Sequence, residues 1–176
     1  MSDTFHGQFG FGSYTLMVGT SPDGNVLGST SPLPSTIIGA GGDDTLSYSG
    51  TASATLYGLG GNDVLIANSG NDVLYGGAGN DQLWAGSGNS ELWGGSGHDQ
   101  FVFTLNEPMG AGTVIEDFHA GDHIKLVDQD GGLNGFAGVQ YDQATGALAY
   151  DLQGHVIDLG HVAGHPALTA GDFIFN

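Results

Sequence analysis

Through the middle of the chain one large apolar side chain recurs at a fixed interval: Leu46, Leu56, Leu65, Leu74, Leu83, Leu92 and Phe101. From Leu56 onward the interval is nine residues, and an extra residue, Tyr48, makes it ten between Leu46 and Leu56. The intervening positions follow the phrase G-G-x-G-x-D-x-U-x, with U the apolar residue. The copies are GAGGDDTLS (39–47), SGTASATLY (49–57), GLGGNDVLI (58–66), ANSGNDVLY (67–75), GGAGNDQLW (76–84), AGSGNSELW (85–93) and GGSGHDQFV (94–102). Six turn-forming residues followed by three strand residues, the middle one apolar, predict short parallel strands joined by tight turns. A helix is excluded by the period and the glycine density. Each copy reverses the chain once, so two copies make one coil, and residues i and i+18 become sheet neighbours about 4.8 Å apart. The expected fold class is all-β, a parallel β-roll or solenoid.

Composition and charge narrow the field. A length of 176 residues suits one elongated domain or a small pair. The 34 glycines show no G-X-Y period, which excludes collagen. Lys125 is the one Lys or Arg against 19 acids, a formal net charge of −18. Such a field repels phosphate backbones and anionic membranes, so nucleic-acid binding is set aside. The acids are parcelled out among glycines rather than gathered in runs, and a compact chain so charged repels itself unless it binds cations. With no cysteine, neither a disulfide framework nor a thiolate metal site is available. The N-terminal segment lacks the basic and apolar regions of a Sec signal peptide. No apolar run approaches the length of a membrane span.

The copies resemble the calcium-binding nonapeptide of the RTX (repeats-in-toxin) family. The resemblance implies a right-handed parallel β-roll with N- and C-terminal β caps. In that fold, turn carbonyls and the sixth-position Asp hold Ca2+ between turns stacked eighteen residues apart. Carried onto this sequence, it nominates the carboxylates of Asp44, Asp63, Asp81, Asp99 and Asp72. With them come the turn residues Gly39, Gly41, Gly58, Gly60, Gly61, Gly76, Gly77, Ala78, Gly79, Asn80, Gly94, Gly95 and Gly97. Calcium suits such donors, because it takes six to eight oxygens from carboxylates and carbonyls at loose geometry. Zinc would want nitrogen or sulfur, and magnesium dehydrates reluctantly. One buried side chain per copy is thin against a backbone ordering cost of about 1 kcal/mol or more per residue. The roll is therefore expected to be largely unfolded without Ca2+ and to fold on binding it.

Successive turns alternate sides, so the sixth positions separate into two columns. One reads Asp44, Asp63, Asp81, Asp99; the other reads Ala54, Asp72, Ser90. The first column offers three inter-turn sites, between 39–44 and 58–63, 58–63 and 76–81, and 76–81 and 94–99, and hence about three Ca2+. In the second, only the gap between 67–72 and 85–90 offers a weak site. The ninth positions are expected to face outward, as Ser47, Ile66, Trp84 and Val102 on one sheet and Tyr57, Tyr75 and Trp93 on the other. The aromatic ladder reads in two ways: a platform for sugar rings, or a surface covered by the terminal segments or a partner.

The organisation expected is an N-terminal cap strand and linker (1–38), the nonapeptide roll (39–103) and a C-terminal capping segment (104–176). The N-terminal part holds a strand at Tyr14–Val18 and turn signals at Pro22–Asp23–Gly24. FVF and GTVIEDFHAGDHIKL (112–126) resemble the closing segment after the repeats of serralysin-type proteases and in the R-modules of mannuronan C-5 epimerases. LTAGDFIFN resembles the C-terminal end of type I secretion substrates. VQYDQATGALAYD (139–151) predicts a β-hairpin turning near Thr145–Gly146, and VIDL (156–159) a further strand. Glu116–Asp117 reads as a further calcium ligand or as capping. No HExxH or GxSxG is present. HVAGHPAL is a poor helix for the His161/His165 pair, and His119 and His123 read as exposed. The function expected is a non-catalytic calcium-binding module that is secreted and extracellular, with a bacterial type I secretion apparatus as partner. The alternative is a polysaccharide-binding or adhesive module using the aromatic face.

Overall fold

Two columns of apolar side chains run the length of the molecule, back to back. One stacks Met17, Ile37, Leu56, Leu74, Leu92, Ile115 and Val162 as successive register partners. The other stacks Leu27, Leu46, Leu65, Leu83, Phe101, Ile124 and Phe173. All belong to one buried cluster. The structure is a computed structural model that describes residues 3–9, 12–105, 112–133 and 135–176. Positions 1–2 and 10–11 of the expected N-terminal cap lie outside the described residues.

In chain order the strands are β1 (Asp3–Phe9), β2 (Gly12–Val18), β3 (Val26–Ser29), β4 (Ser35–Ile38), β5 (Thr45–Tyr48), β6 (Ala54–Gly60), β7 (Val64–Ile66), β8 (Val73–Ala78) and β9 (Gln82–Trp84). They continue as β10 (Glu91–Ser96), β11 (Gln100–Thr104), β12 (Val114–Ile115), β13 (His123–Val127), β14 (Val139–Asp142), β15 (Ala147–Leu152), β16 (His155–Val162) and β17 (Phe173–Phe175). A ten-stranded sheet has the order β1-β2-β4-β6-β8-β10-β12-β16-β15-β14, and a seven-stranded sheet the order β17-β13-β11-β9-β7-β5-β3. The chain alternates between them, making an all-β solenoid of about six turns.

Within the repeats, neighbours are eighteen residues apart, as in Leu56 with Leu74 and Leu65 with Leu83. The insertion at Tyr48 does not break the stack, because Leu46 pairs with Leu65 across nineteen residues. The extra residue is absorbed inside. Tyr48 is buried and its hydroxyl donates to the Ser31 carbonyl at 2.9 Å.

The sheets run on beyond both ends of the 39–103 block. β2, β3 and β4 add coils of the same kind before it, with Met17, Leu27 and Ile37 in the apolar columns. After it, β12 and β13 stack on β10 and β11 at a spacing of twenty-three, as in Glu91 with Val114 and Gln100 with His123. The sequence VQYDQATGALAYD forms the antiparallel pair β14–β15, and β16 pairs antiparallel with β15 and parallel with β12. This meander ends the larger sheet, and LTAGDFIFN supplies β17, the last strand of the smaller one. Both sheet ends on this side are thereby occupied by irregular coils, which protects the interior of a stack that has no closing symmetry.

Candidate metal centre

The turns that lead into the smaller sheet bring the first column of carboxylates into a single file. The main-chain N–H of Asp44 donates to Oδ1 of Asp63 at 2.7 Å. Asp63 donates likewise to Asp81 at 2.7 Å, and Asp81 to Asp99 at 2.9 Å. The file is longer than the repeat pattern foretold. Asp99 donates to Oδ1 of Asp122 at 2.9 Å, and at the other end Asn25 donates its main-chain N–H and its amide to Oδ1 of Asp44 at 2.5 and 2.8 Å. Asp44, Asp63, Asp81, Asp99 and Asp122 are all buried. Sequence reasoning missed Asn25 and Asp122 because TSPDGNVLG keeps only the eighth position of the phrase, with Asn for Asp at the sixth, and DFHAGDHIK keeps only the sixth and eighth. The signal was present in both, a polar residue two before an apolar one after a glycine.

One oxygen of each carboxylate thus closes a hydrogen bond, and the other decides the chemistry. Oδ2 of Asp63, Asp81 and Asp99 is buried with no hydrogen-bond partner. A buried ionised oxygen without a partner costs several kcal/mol unless a cation completes it. Burial pushes the Asp63 carboxyl up from 3.8 to about 6, against the lowering effect of the Asp44 N–H, and the charges of Asp44 and Asp43 push it further. Burial likewise takes Asp81 to about 7, with Asp63, Asp99 and Asp43 adding repulsion. Asp99 is raised by burial and then by Asp122 and Asp117.

The surroundings of these oxygens are themselves oxygen. A side chain at Gly58 would collide with Oδ2 of Asp63 and come within 2.5 Å of the Gly76 carbonyl oxygen in the next turn. At Gly76 the same place is bounded by Oδ2 of Asp81 and, at 2.6 Å, the Gly94 carbonyl. Glycine therefore leaves open a recess lined by a carboxylate and a main-chain carbonyl from adjacent turns. Among the described residues no three acidic or imidazole side chains converge on one point. An ion held here must take much of its shell from carbonyls, which suits calcium and disfavours zinc. The donors present fit Ca2+: Asp63, Asp81 and Asp99 would supply carboxylate oxygen, and the glycine turns carbonyl oxygen.

The other nominated turn residues divide into two groups. Gly61, Gly77, Gly79, Gly95 and Gly97 all have positive φ. At Gly77 and Gly79 a side chain would strike the carbonyls of Leu59 and Gly61, so these turns stack main chain on main chain. Gly60 and Ala78 pair in the sheet, and the Ala78 carbonyl accepts the Gly61 N–H at 2.9 Å. Asn80 uses its side-chain oxygen to accept the His98 N–H at 2.8 Å, and Asn62 does the same for Asn80 at 2.8 Å. These fifth positions form an exposed polar ladder beside the buried acidic one. At Gly39 a side chain would meet Oδ2 of Asp44, while Gly41 faces open space.

The second column is chemically quieter. Asp72 is buried, and its Oδ1 accepts the Ala54 N–H at 2.7 Å. Burial raises its pKa, with no acidic neighbour contributing. The next turn places Ser90 there, with its Oγ buried and unpartnered. Thr113 follows, accepting the Ser90 N–H at 3.4 Å and donating to the Gly88 carbonyl at 3.1 Å. Hydroxyls thus replace carboxylates on this side.

Tyr57, Tyr75 and Trp93 form the ladder expected on the larger sheet, but their rings face one another. The Tyr57 and Tyr75 centroids are 5.0 Å apart at 6° between planes, and Tyr75 and Trp93 are 6.1 Å apart at 23°. Trp93 is 36% exposed, so the described terminal segments do not cover it. On the smaller sheet Val102, expected to face outward, is buried, because β11 is covered on both faces. His119 is largely exposed, as expected, yet its Nδ1 lies 2.9 Å from Oδ2 of Asp122. His161 lies in β16 and His165 beyond its end, so the pair shares no helix.

A parallel β-solenoid with a buried file of aspartates in its glycine turns defines a class of repeat module. Residues 48–83, 57–92 and 76–103 match the family model of the RTX calcium-binding nonapeptide repeat (4 copies), so the repeats within 48–103 are of that kind. No curated protein matches the chain. Among solved structures it is similar to the AlgE6R3 subunit of the Azotobacter vinelandii mannuronan C5-epimerase. The identity is 24%, over 88% of this chain and 80% of that one, with a TM-score of 0.29. No helix among the described residues is long and apolar enough to cross a membrane.

Proposed function

We propose that this chain is a non-catalytic calcium module whose turns are completed by Ca2+ outside the cell, as part of a protein exported by a bacterial type I secretion system. The observation that carries the calcium reading is the set of buried, unpartnered Oδ2 atoms of Asp63, Asp81 and Asp99. These oxygens belong to turns whose neighbouring donors are oxygen and which no Lys or Arg reaches. Calcium modules working outside cells bind with dissociation constants on the order of 10⁻⁴ to 10⁻³ M. In the calcium-poor cytosol the chain would stay unfolded and fit for threading, and it would fold on release. The absence of cysteine and the strand-forming LTAGDFIFN end support that route. A sugar platform is less well supported, because the ladder rings use their faces on each other and no Arg is available to pair with an acidic sugar. A calcium titration followed by far-UV circular dichroism and calorimetry tests the reading. Little β-structure is expected in chelator, with cooperative gain near millimolar Ca2+. Full β-structure in chelator, or no heat of binding, would refute it.

A further inference from the structure

The smaller sheet carries a cleft that the acidic file does not use. Trp84 stands on the outer face of β9, with Ile66 and Val102 as its register partners on either side. There the strands end and the chain enters the turns of the second column. Asn68 and Ser87 from those turns, and Thr104 at the end of β11, complete a cleft of about 220 Å³. The turn walls are fixed by main chain. Gly86 has φ of 50°, and a side chain there would strike the Asn68 carbonyl, which also accepts the Ser87 N–H at 2.6 Å.

The two tryptophans differ in what they have left to offer. Trp93 spends a ring face on Tyr75, 6.1 Å away. Trp84 has aliphatic neighbours in its column, and no ring pair among the described residues includes it. Its Nε1 is buried with no hydrogen-bond partner, a donor that folded proteins rarely leave unmet. Around the indole the cleft is apolar at Ile66, Ala85 and Val102, and polar at Asn68, Ser87 and Thr104. Hydroxyls and an amide both donate and accept. No acid, lysine, arginine or histidine lines it. Lys125 pairs with Val102 in the sheet, but its Nζ lies 3.1 Å from the Asn176 side-chain amide.

A ligand that fits has an apolar face, several hydroxyls and no charge. An anion would find no cation in the wall and would meet the field of a chain carrying a net charge of −18. A cation would find no carboxylate there. Drug-sized ligands fill clefts of about 300–1,000 Å³, so this one takes a single ring. A neutral pyranose meets all three conditions, with its C–H face for the indole and its hydroxyls for the polar rim.

We propose that the Trp84 cleft binds one neutral hexose unit, free or within a neutral polysaccharide. It lies on the opposite sheet from the Tyr57–Tyr75–Trp93 ladder and requires no metal contact. The test is a titration of nitrogen-15-labelled, calcium-loaded protein, following the indole N–H resonances of Trp84 and Trp93, with Trp93→Phe to assign them. The probes are glucose, galactose and mannose, the polymers dextran and galactomannan, and glucuronate as the acidic control. A saturable shift at Trp84 with at least one neutral probe is expected, while Trp93 stays still and glucuronate is inert. A response to polymer alone assigns the site to a ring within a chain, and a response to hexose as well assigns it to a free ring. Trp84 unmoved by every neutral probe, a shift centred on Trp93, or tighter binding of glucuronate would overturn the proposal. Ser87→Leu puts bulk into the cleft and keeps the indole, and it should weaken binding at least about tenfold, as loss of an anchor contact does. Undiminished binding in that variant would also overturn it. Dispersed resonances in chelator would count against the calcium reading alone, and the titration would then be read on that metal-free fold.

Discussion

The two turn columns of this solenoid share a period, a backbone and nearly the same glycines, yet they solve the same problem differently. On one side each turn presents a buried carboxylate to the N–H of the turn before it, from Asp63 through Asp122. On the other, the sixth positions are Ala54, Asp72, Ser90 and Thr113; the Asp72 carboxylate and the Thr113 hydroxyl bridge turns, and the Ser90 hydroxyl has no partner. The first arrangement concentrates like charge in a dry place and leaves the Oδ2 atoms of Asp63, Asp81 and Asp99 without a hydrogen-bond partner. The second is neutral over most of its length and asks for little. On the calcium reading proposed above, a repeat keeps one strand pattern throughout while metal chemistry falls to one side.

The largest test of this contrast replaces one member of each column. Asp81→Ala removes ligand oxygen from the middle of the file and leaves the Asp63 N–H without its acceptor. An unpaired buried N–H alone costs about 1–3 kcal/mol. The calcium midpoint of folding is expected to rise at least about tenfold, which corresponds to about 1.4 kcal/mol. Ser90→Ala deletes a hydroxyl that has no partner, so its midpoint should move by less than about twofold. Equal shifts in the two variants would dissolve the distinction between the columns.

A sharper variant converts one side into the other. Ser90→Asp places a carboxylate after Asp72 in the stacking relation that Asp81 has to Asp63. One additional calcium ion per molecule is the expected outcome, read by native mass spectrometry of the calcium-saturated protein. No gain would mean that the carbonyls of the second column are not arranged for an ion.

Proton concentration discriminates next. Asp63 and Asp81 have folded-state values near 6 and 7 against an ordinary 3.8. Below pH 3.8 both folded and unfolded chains are protonated and burial is harmless. Above it the unfolded chain ionises first, and the penalty on the metal-free roll grows until pH passes about 7. In chelator, the β-signal should therefore be greater at pH 5 than at pH 8. In calcium the order reverses, because protons compete with the ion. A metal-free roll equally structured at both pH values would contradict the burial argument.

The smallest effect concerns backbone. Leu59 holds φ of 82° and is exposed, where the stacked equivalents are Gly77 and Gly95. Leucine in that region is strained by roughly 1–2 kcal/mol, partly offset by the greater unfolded freedom of glycine. Leu59→Gly is expected to stabilise the calcium-loaded roll by up to about 1 kcal/mol in urea denaturation. Destabilisation would show that the Leu59 side chain packs usefully despite its exposure.

Much of this could be read from the chain because one period governs two things at once. The position that places Leu65 inside also places Asp63 in the turn, so the apolar interval fixes both the coil and the carboxylate file. What escaped reading lies where that interval is broken. Between Asp99 and Asp122 the spacing is twenty-three, and in DFHAGDHIK an aspartate stands where the phrase begins with glycine. Asn25 heads the file as an amide, after a turn built with proline. Ring orientation was also invisible: spacing sets Tyr57, Tyr75 and Trp93 one above another, but the side-chain rotamers decide whether faces meet solvent or each other. Packing on neighbours won, as aromatic quadrupoles favour in offset stacks.

The chain of bonds from Asn25 to Asp122 has a direction. Each aspartate offers its N–H to the turn that follows it, so no link is finished until the one after it is in place. At Asp122 the run stops: its N–H turns back to the His119 carbonyl, and its Oδ2 takes the N–H and the imidazole of His119. Were the coils to form in the order of these bonds, the file would close like a zip from its stop at the carboxyl end, one coil at a time. A chain emerging with that end first would carry its starting point out ahead of everything that depends on it.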